Sequence, residues 1–243
     1  MRHSTSSNPF NDGEKRRDEL PTEDLFSIVG KDKTYYRRHL PHFQPEQAAF
    51  HLVFRLAGSL PLEVIKELRI ERQRFERRTR ALNGKVEQQK QRDQFWSEYF
   101  TRFDALLDGS ETGPKWLAEP AVASIVKEAI HHRDGKAFDL VAYCIMPNHV
   151  HMVIEVGRND IPTYKPAPLY RVLQSLKRHT ARKCNLALGR EGSFWQDETY
   201  DHVVRDESEL ERTIWYVLEN PVKAGFVDSW EKWPWSYCKK EFP

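Results

Sequence analysis

Two histidines one residue apart, His149 and His151, have spacing that suits a shared ligand. On a β-strand, residues i and i+2 point to the same face, about 7 Å apart along the chain. Two imidazoles placed this way can hold one metal ion at about 2.0–2.2 Å each. The intervening positions Val150, Met152 and Ile154 suit a core, so the imidazoles are expected on an open surface. From spacing alone, a metal pair and two unrelated surface histidines are equal readings. A second pair, Tyr216 and Asn220, stands at i and i+4, neighbours about 5–6 Å apart at Cβ on a helix. Taken alone, they read as a boundary tyrosine and an asparagine that ends a helix before Pro221.

The chain that must position these groups has 243 residues, room for one substantial domain plus an insertion or tail. Its net charge is only +2 although charged residues make up 30 %. Nucleic-acid affinity would therefore come from local basic patches rather than a global field. Cys144, Cys184 and Cys238 are far apart and odd in number, which argues against a disulfide framework or a cysteine zinc site. No apolar run is long enough to span a membrane, and the polar N-terminus lacks a signal core, so a cytoplasmic protein is expected. A GxxxxGK[ST] loop and a GxSxG elbow are both missing, which removes support for ATP-driven chemistry and for a serine hydrolase.

Residues 1–35 read as a flexible polar tail, and residues 36–243 as the domain. Ala48 to Leu56 alternates like a half-buried strand. Residues 62–108 form a charged helical insertion, with Asn83-Gly84 suited to divide it. This stretch fits a solvated helical hairpin, and also a DNA-contacting arm. Glu119 to His131 reads as a helix. Two strands follow, one with Phe138, Leu140, Ala142, Cys144 and Met146 on a single face, the other with Val150, Met152, Ile154 and Val156. A proline-rich loop (Pro162, Pro166, Pro168) leads to a helix at Leu169 to Leu188. That helix carries Arg171, Arg178 and Arg182 opposite its apolar stripe, with Lys177 and Lys183 nearby; these could contact phosphates or be an ordinary solvated face. Thr199 to Arg205 reads as a strand, and Asp206 with Glu209 as the capping box of a final helix ending at Asn220. The order implies an α+β fold, a mainly antiparallel sheet with helices on one face.

The segment Cys144-Ile145-Met146-Pro147-Asn148-His149-Val150-His151 resembles the HUH motif of single-tyrosine insertion-sequence transposases, and most closely that of the REP-associated tyrosine transposases. Arg37-Arg38-His39-Leu40-Pro41-His42 is similar to the family's leader, and Leu173-Gln174-Ser175-Leu176-Lys177 to its Q-S-[LF]-K stretch. Gly192 to Gln196, Asp201 to Arg205, and Tyr216 to Val227 resemble three further family segments in the same order. The resemblance implies an HUH palm, a ferredoxin-like or RRM-like sheet. It implies that His149, His151 and Asn220 bind a metal and that Tyr216 is the nucleophile. It also implies a partner, single-stranded DNA bearing a hairpin; the basic residues Arg171, Lys177, Arg178, Arg182, Arg205 and Lys223 are the candidate DNA contacts. Mg²⁺ or Mn²⁺ suits two imidazoles and one amide, and the ligands do not exclude zinc. No membrane partner is expected, and a homodimer formed by exchange of the final helix is compatible with the sequence. The competing readings are a hairpin-binding regulatory protein without catalysis, a metal-dependent phosphodiester hydrolase using water, and a rolling-circle initiator.

Overall fold

The computed structural model describes residues 33–37, 41–45, 48–82, 84–157, 167–240 and 242. The tail expected at residues 1–35 lies almost wholly outside them, as do Asn83, Pro162, Pro166 and, in the leader, Arg38, His39 and Leu40. In chain order the elements are β1 (Lys33–Arg37), β2 (Pro41–Pro45), β3 (Ala48–Leu56), α1 (Leu62–Arg80), α2 (Lys85–Asp108), α3 (Pro120–His131), β4 (Asp139–Ile145), β5 (His149–Val156), α4 (Leu169–Ala187), β6 (Trp195–Val204), α5 (Glu207–Leu218), α6 (Asn220–Lys223) and β7 (Ser236–Cys238).

β1 and β2 pair with each other, and the remaining strands form one sheet in the order β6-β3-β5-β4-β7. Each neighbouring pair in that sheet is antiparallel. Without the short edge strand β7, this is the split βαβ arrangement, in which two strand–helix–strand units interleave so that the first and third strands are central. The expected α+β class and antiparallel sheet are borne out. Among the described residues no helix is long and apolar enough to cross a membrane.

One face of the sheet, bearing Phe50, Leu52, Phe54, Val150, Met152 and Ile154, packs against Val122, Val126 and Ile130 of α3 and Leu173 and Leu176 of α4. Pro120 opens α3, where its missing N–H costs nothing. The opposite face is covered too. Ile214, Val217 and Leu218 of α5 pack on Val141, Ala142, Cys144 and Val153, and α1 and α2 bring Leu68, Phe100 and Leu107 onto Val53. Helices on one face only is therefore corrected to helices on both. β3, read as half-buried, is buried on both sides, His51 and Arg55 included.

The face assignment of β4 is also corrected. Its pairing with β5 shifts between Leu140 and Ala142, a bulge at Val141. One extra residue reverses the alternation beyond it. Phe138 and Leu140 thus join the α3–α4 core with Tyr143 and Ile145, while Ala142, Cys144 and Met146 face α5.

Candidate active site

The antiparallel register places Arg55 opposite His149, Val53 opposite His151 and His51 opposite Val153. Directly paired residues project to one side of a sheet, so His51, Arg55, His149 and His151 share a face, and the Val53–Tyr200 pairing adds Tyr200 from β6. The imidazoles do not face an open surface as the alternation suggested: His149 and His151 are both 0 % exposed. Their Nε2 atoms lie 2.8 Å apart.

The residue that completes this pair comes from the charged segment. Asp104 of α2 places Oδ1 3.1 Å from His151 Nε2 and 3.8 Å from His149 Nε2. Its Oδ2 accepts a hydrogen bond from the Tyr216 hydroxyl. Asp104, His149 and His151 form a buried group whose ligand atoms are close enough to hold one metal ion. The donor set supports that fit. Asn148 Oδ1 lies 2.6 Å from His149 Nδ1, and an amide oxygen can only accept, so the proton sits on Nδ1 and the Nε2 lone pair points inward. Asp104 Oδ1 is buried, and the atoms facing it are the Nε2 atoms of the two histidines. Acceptors gathered in a dry site repel one another, and a cation relieves this.

Two side chains hold the imidazoles. Asn148, at the turn between β4 and β5, also donates from Nδ2 to the Leu107 carbonyl at 2.8 Å, tying the end of α2 to the turn before His149. His51 Nε2 is 3.3 Å from His151 Nδ1. Such partners fix ring orientation and tautomer. Asn148→Ala is expected to weaken metal binding by about 10–100-fold. A titration calorimetry curve matching wild type would contradict this role.

Tyr216 is carried by α5. The helix starts at Asp206, whose carboxylate accepts the Glu209 N–H at 2.8 Å, while Glu209 Oε2 accepts the Arg205 N–H at 2.7 Å. The capping box read from the sequence is thus present, with its return bond shifted one residue upstream. Around the Tyr216 ring are His51, Phe100 and His151, with ring centroids at 6.1, 5.9 and 6.1 Å. Lys223 Nζ sits 4.4 Å from its centroid.

Charge in the site follows burial. Burial, then the neighbouring His151, lowers His149 to about 3 despite the opposing pull of Asp104, so it is neutral and ligand-ready at pH 7. For Asp104 burial acts upward, yet the charge and hydrogen bond of His151, then His149 and Tyr216, hold it well below the carboxylate range. Burial, then the charge of Asp104 and the bond to it, pushes the Tyr216 phenol far above its ordinary value. Burial, then Asp104, raises Asp108 to about 6.

A stability profile follows. Between about 3 and the ordinary 6.5, His149 is neutral in the fold but protonated when unfolded. His51, lowered first by burial and then by His151, behaves alike. The unfolded chain then binds more protons, so stability falls as pH falls. Asp108 opposes this with one proton between 3.8 and about 6, where the fold holds it protonated. The metal-free protein is therefore expected to lose stability as pH falls from 6 towards 4. Melting in EDTA across that range measures it, and a flat profile would contradict the burial of neutral histidines.

The other expected residues make contacts of their own. Asn220 is buried, and its Nδ2 donates to the carbonyls of Tyr216 at 2.9 Å and Val217 at 3.5 Å, closing the end of α5. Lys177 Nζ donates to the Gln196 and Asp197 carbonyls and to Thr199 Oγ1, fastening α4 to β6. Arg171, Arg178 and Arg182 are exposed on α4, and Arg205 is exposed at the start of α5. Asp104 was missed because no motif marks it. It stands between Phe100 and Leu107 at helical spacing, and a carboxylate in an apolar stripe was the available signal.

The split βαβ sheet thus carries a buried Asp–His–His group, close enough to hold one metal ion, beside Tyr216. Residues 115–220 match the family model described as transposase IS200 like. A provisionally assigned REP-associated tyrosine transposase of Haemophilus influenzae is 33 % identical over 104 residues, which cover 41 % of this chain and 58 % of that protein. The REP-associated tyrosine transposase of Escherichia coli is 23 % identical over 103 residues, 42 % of this chain and 54 % of that one. This chain spans a little over half the length of those curated relatives. A solved REP-associated tyrosine transposase bound to a REP hairpin has a TM-score of 0.44 and 16 % identity, covering 84 % of this chain and 81 % of that one. The resemblance to this transposase family is thereby borne out. The matched segment holds His149, His151, Tyr216 and Asn220; Asp104 lies outside it.

Proposed function

We propose that this protein is a metal-dependent single-stranded DNA nicking and joining enzyme, a transposase-like strand transferase with Tyr216 as nucleophile. The observation that carries the reading is the hydrogen bond from Tyr216 to Asp104, which ties the tyrosine to the carboxylate facing both histidines. His149, His151 and Asp104 are the residues that would hold the ion. The amide N–H groups of Asn220 donate to the helix, so its Oδ1 is the atom that could coordinate the ion. When bound, a divalent ion, Mg²⁺ or Mn²⁺, supplies electrostatic stabilisation of the charge that develops on the phosphate.

The chain's own residues do the rest. Tyr216 Oη attacks the phosphorus of a strand at a hairpin-flanked site. A bond from Oη to phosphorus forms as the bond from phosphorus to the 3′ oxygen breaks. The products are a 5′-phosphotyrosine and a 3′-OH, with the phenol proton passing to the leaving oxygen by way of solvent. One phosphoester replaces another, so rejoining needs no ATP. Asp104 accepts the phenol hydrogen bond and sets the direction of Oη, while its negative charge opposes phenolate formation when no ion is present. Lys223 over the ring acts in the opposite sense, favouring negative charge on the phenol and on phosphate. The exposed arginines Arg171, Arg178 and Arg182 would follow the DNA backbone.

The test is cleavage of end-labelled hairpin oligonucleotides with Mg²⁺, Mn²⁺ or EDTA. The expected result is metal-dependent cleavage that leaves a covalent protein–DNA species. Cleavage that releases free 5′-phosphate without an adduct would favour a water-using hydrolase. Tight binding with no cleavage under any metal would favour a hairpin-binding regulator.

A further inference from the structure

Arg55 is an unusual residue for its position. It lies near the end of β3 in the five-stranded sheet, is 7 % exposed, and is directly paired with His149 on the face of the candidate site. Among the described residues its side chain has one hydrogen-bond partner, Ser59 Oγ, which accepts from Nη1 at 3.1 Å, and the neutral Tyr99 phenol is its nearby electrostatic neighbour. No carboxylate of the described residues lies within ion-pair distance of it. A guanidinium carries five N–H donors and a permanent charge. Burying such a group without a counter-charge is costly, and buried charges are ordinarily paired. Burial has already pulled Arg55 down to about 10.

We propose that Arg55 is a phosphate-binding residue, its missing counter-charge being a phosphate of the DNA strand that reaches His149. This rests on the reading of the site as one that acts on DNA. Paired residues on one face have Cβ atoms about 4.5–5.5 Å apart, so a phosphate brought to His149 comes within reach of the neighbouring guanidinium. A planar fork of N–H groups matches two phosphate oxygens at once, which a lysine cannot do. Ser59 Oγ, by bonding Nη1, leaves the remaining N–H groups for the ligand.

The experiment measures binding rather than cleavage. Tyr216→Phe and Tyr216→Phe/Arg55→Met proteins are titrated with a fluorescent single-stranded hairpin oligonucleotide in Mn²⁺, from 50 to 200 mM salt, and their Tm values are compared. Tyr216→Phe is common to both, so the difference between them reads what Arg55 contributes to binding whether or not Tyr216 is the nucleophile. Arg55→Met is expected to weaken binding by about 10-fold or more. It should also make the slope of log K against log salt shallower by about 0.7, the single-strand value for one lost phosphate contact. Its Tm should stay level or rise, because an unpaired buried charge is gone. Ser59→Ala should leave affinity near that of its parent. Unchanged affinity and slope in Arg55→Met would overturn the proposal. Equal losses in Arg55→Met and Ser59→Ala would also overturn it, showing that the loop and not the charge matters. If Tm and affinity fall together, Arg55→Lys decides: a restored salt slope upholds the proposal and an unrestored one overturns it.

Discussion

Tyr216→Phe is expected to abolish the covalent protein–DNA species and to lower cleavage by about 10⁴-fold or more, while hairpin binding persists. The change removes only the hydroxyl. The ring contacts with His51, Phe100 and His151 are made by carbons that phenylalanine keeps. What is lost besides the nucleophile is the donor to Asp104 Oδ2, a carboxylate oxygen in a buried site. Leaving such an acceptor unmet costs about 1–3 kcal/mol in the metal-free protein. A modest fall in Tm therefore accompanies the loss of chemistry. Denaturing gels with labelled oligonucleotide read the adduct, and a wild-type adduct yield in the phenylalanine variant would remove Tyr216 from the role.

The second large effect is expected for His149→Ala. The imidazole is fully buried, neutral at pH 7 and fixed in its tautomer by Asn148. Its removal takes one of two lone pairs converging on the candidate ion position and leaves Asp104 facing His151 alone. Electrostatic stabilisation of a phosphate by a bound ion is worth several kcal/mol, so cleavage should fall by roughly 10³-fold across a metal titration. Asp104→Asn makes an informative contrast. Asparagine keeps an oxygen to accept from Tyr216 but withdraws the charge that raises the phenol, so metal affinity should fall while the phenol titrates lower. Ultraviolet titration of the tyrosines reads the second effect. Unchanged cleavage in His149→Ala over the whole titration would count against the metal group.

The parts of this site that lie close in sequence were legible. Residues at i and i+2 on a strand share a face by geometry, and the two Nε2 atoms do meet. The spacing of Tyr216 and Asn220 predicted neighbours, and Asn220 does bond the Tyr216 carbonyl. The strand and helix order came through because each element carries its own period. What was not legible depended on tertiary contacts. The bulge at Val141 has no distinguishing residue, yet it moves Cys144 and Met146 to the other face. The lid over the histidines comes from α2, whose charges resemble those of any solvated helix. Asp104 stands 112 residues from Tyr216, and no local pattern joins residues that far apart.

The measurement that bears most directly on the central claim is mapping of the covalent adduct. The wild-type protein is trapped on a labelled hairpin oligonucleotide with Mn²⁺, digested with nuclease and protease, and the modified peptide is sequenced by mass spectrometry. A nucleotide 5′-phosphate is expected on Tyr216 and on no other tyrosine. A phosphonucleotide on Tyr200 or any other residue, or metal-dependent cleavage with no modified peptide, would contradict it.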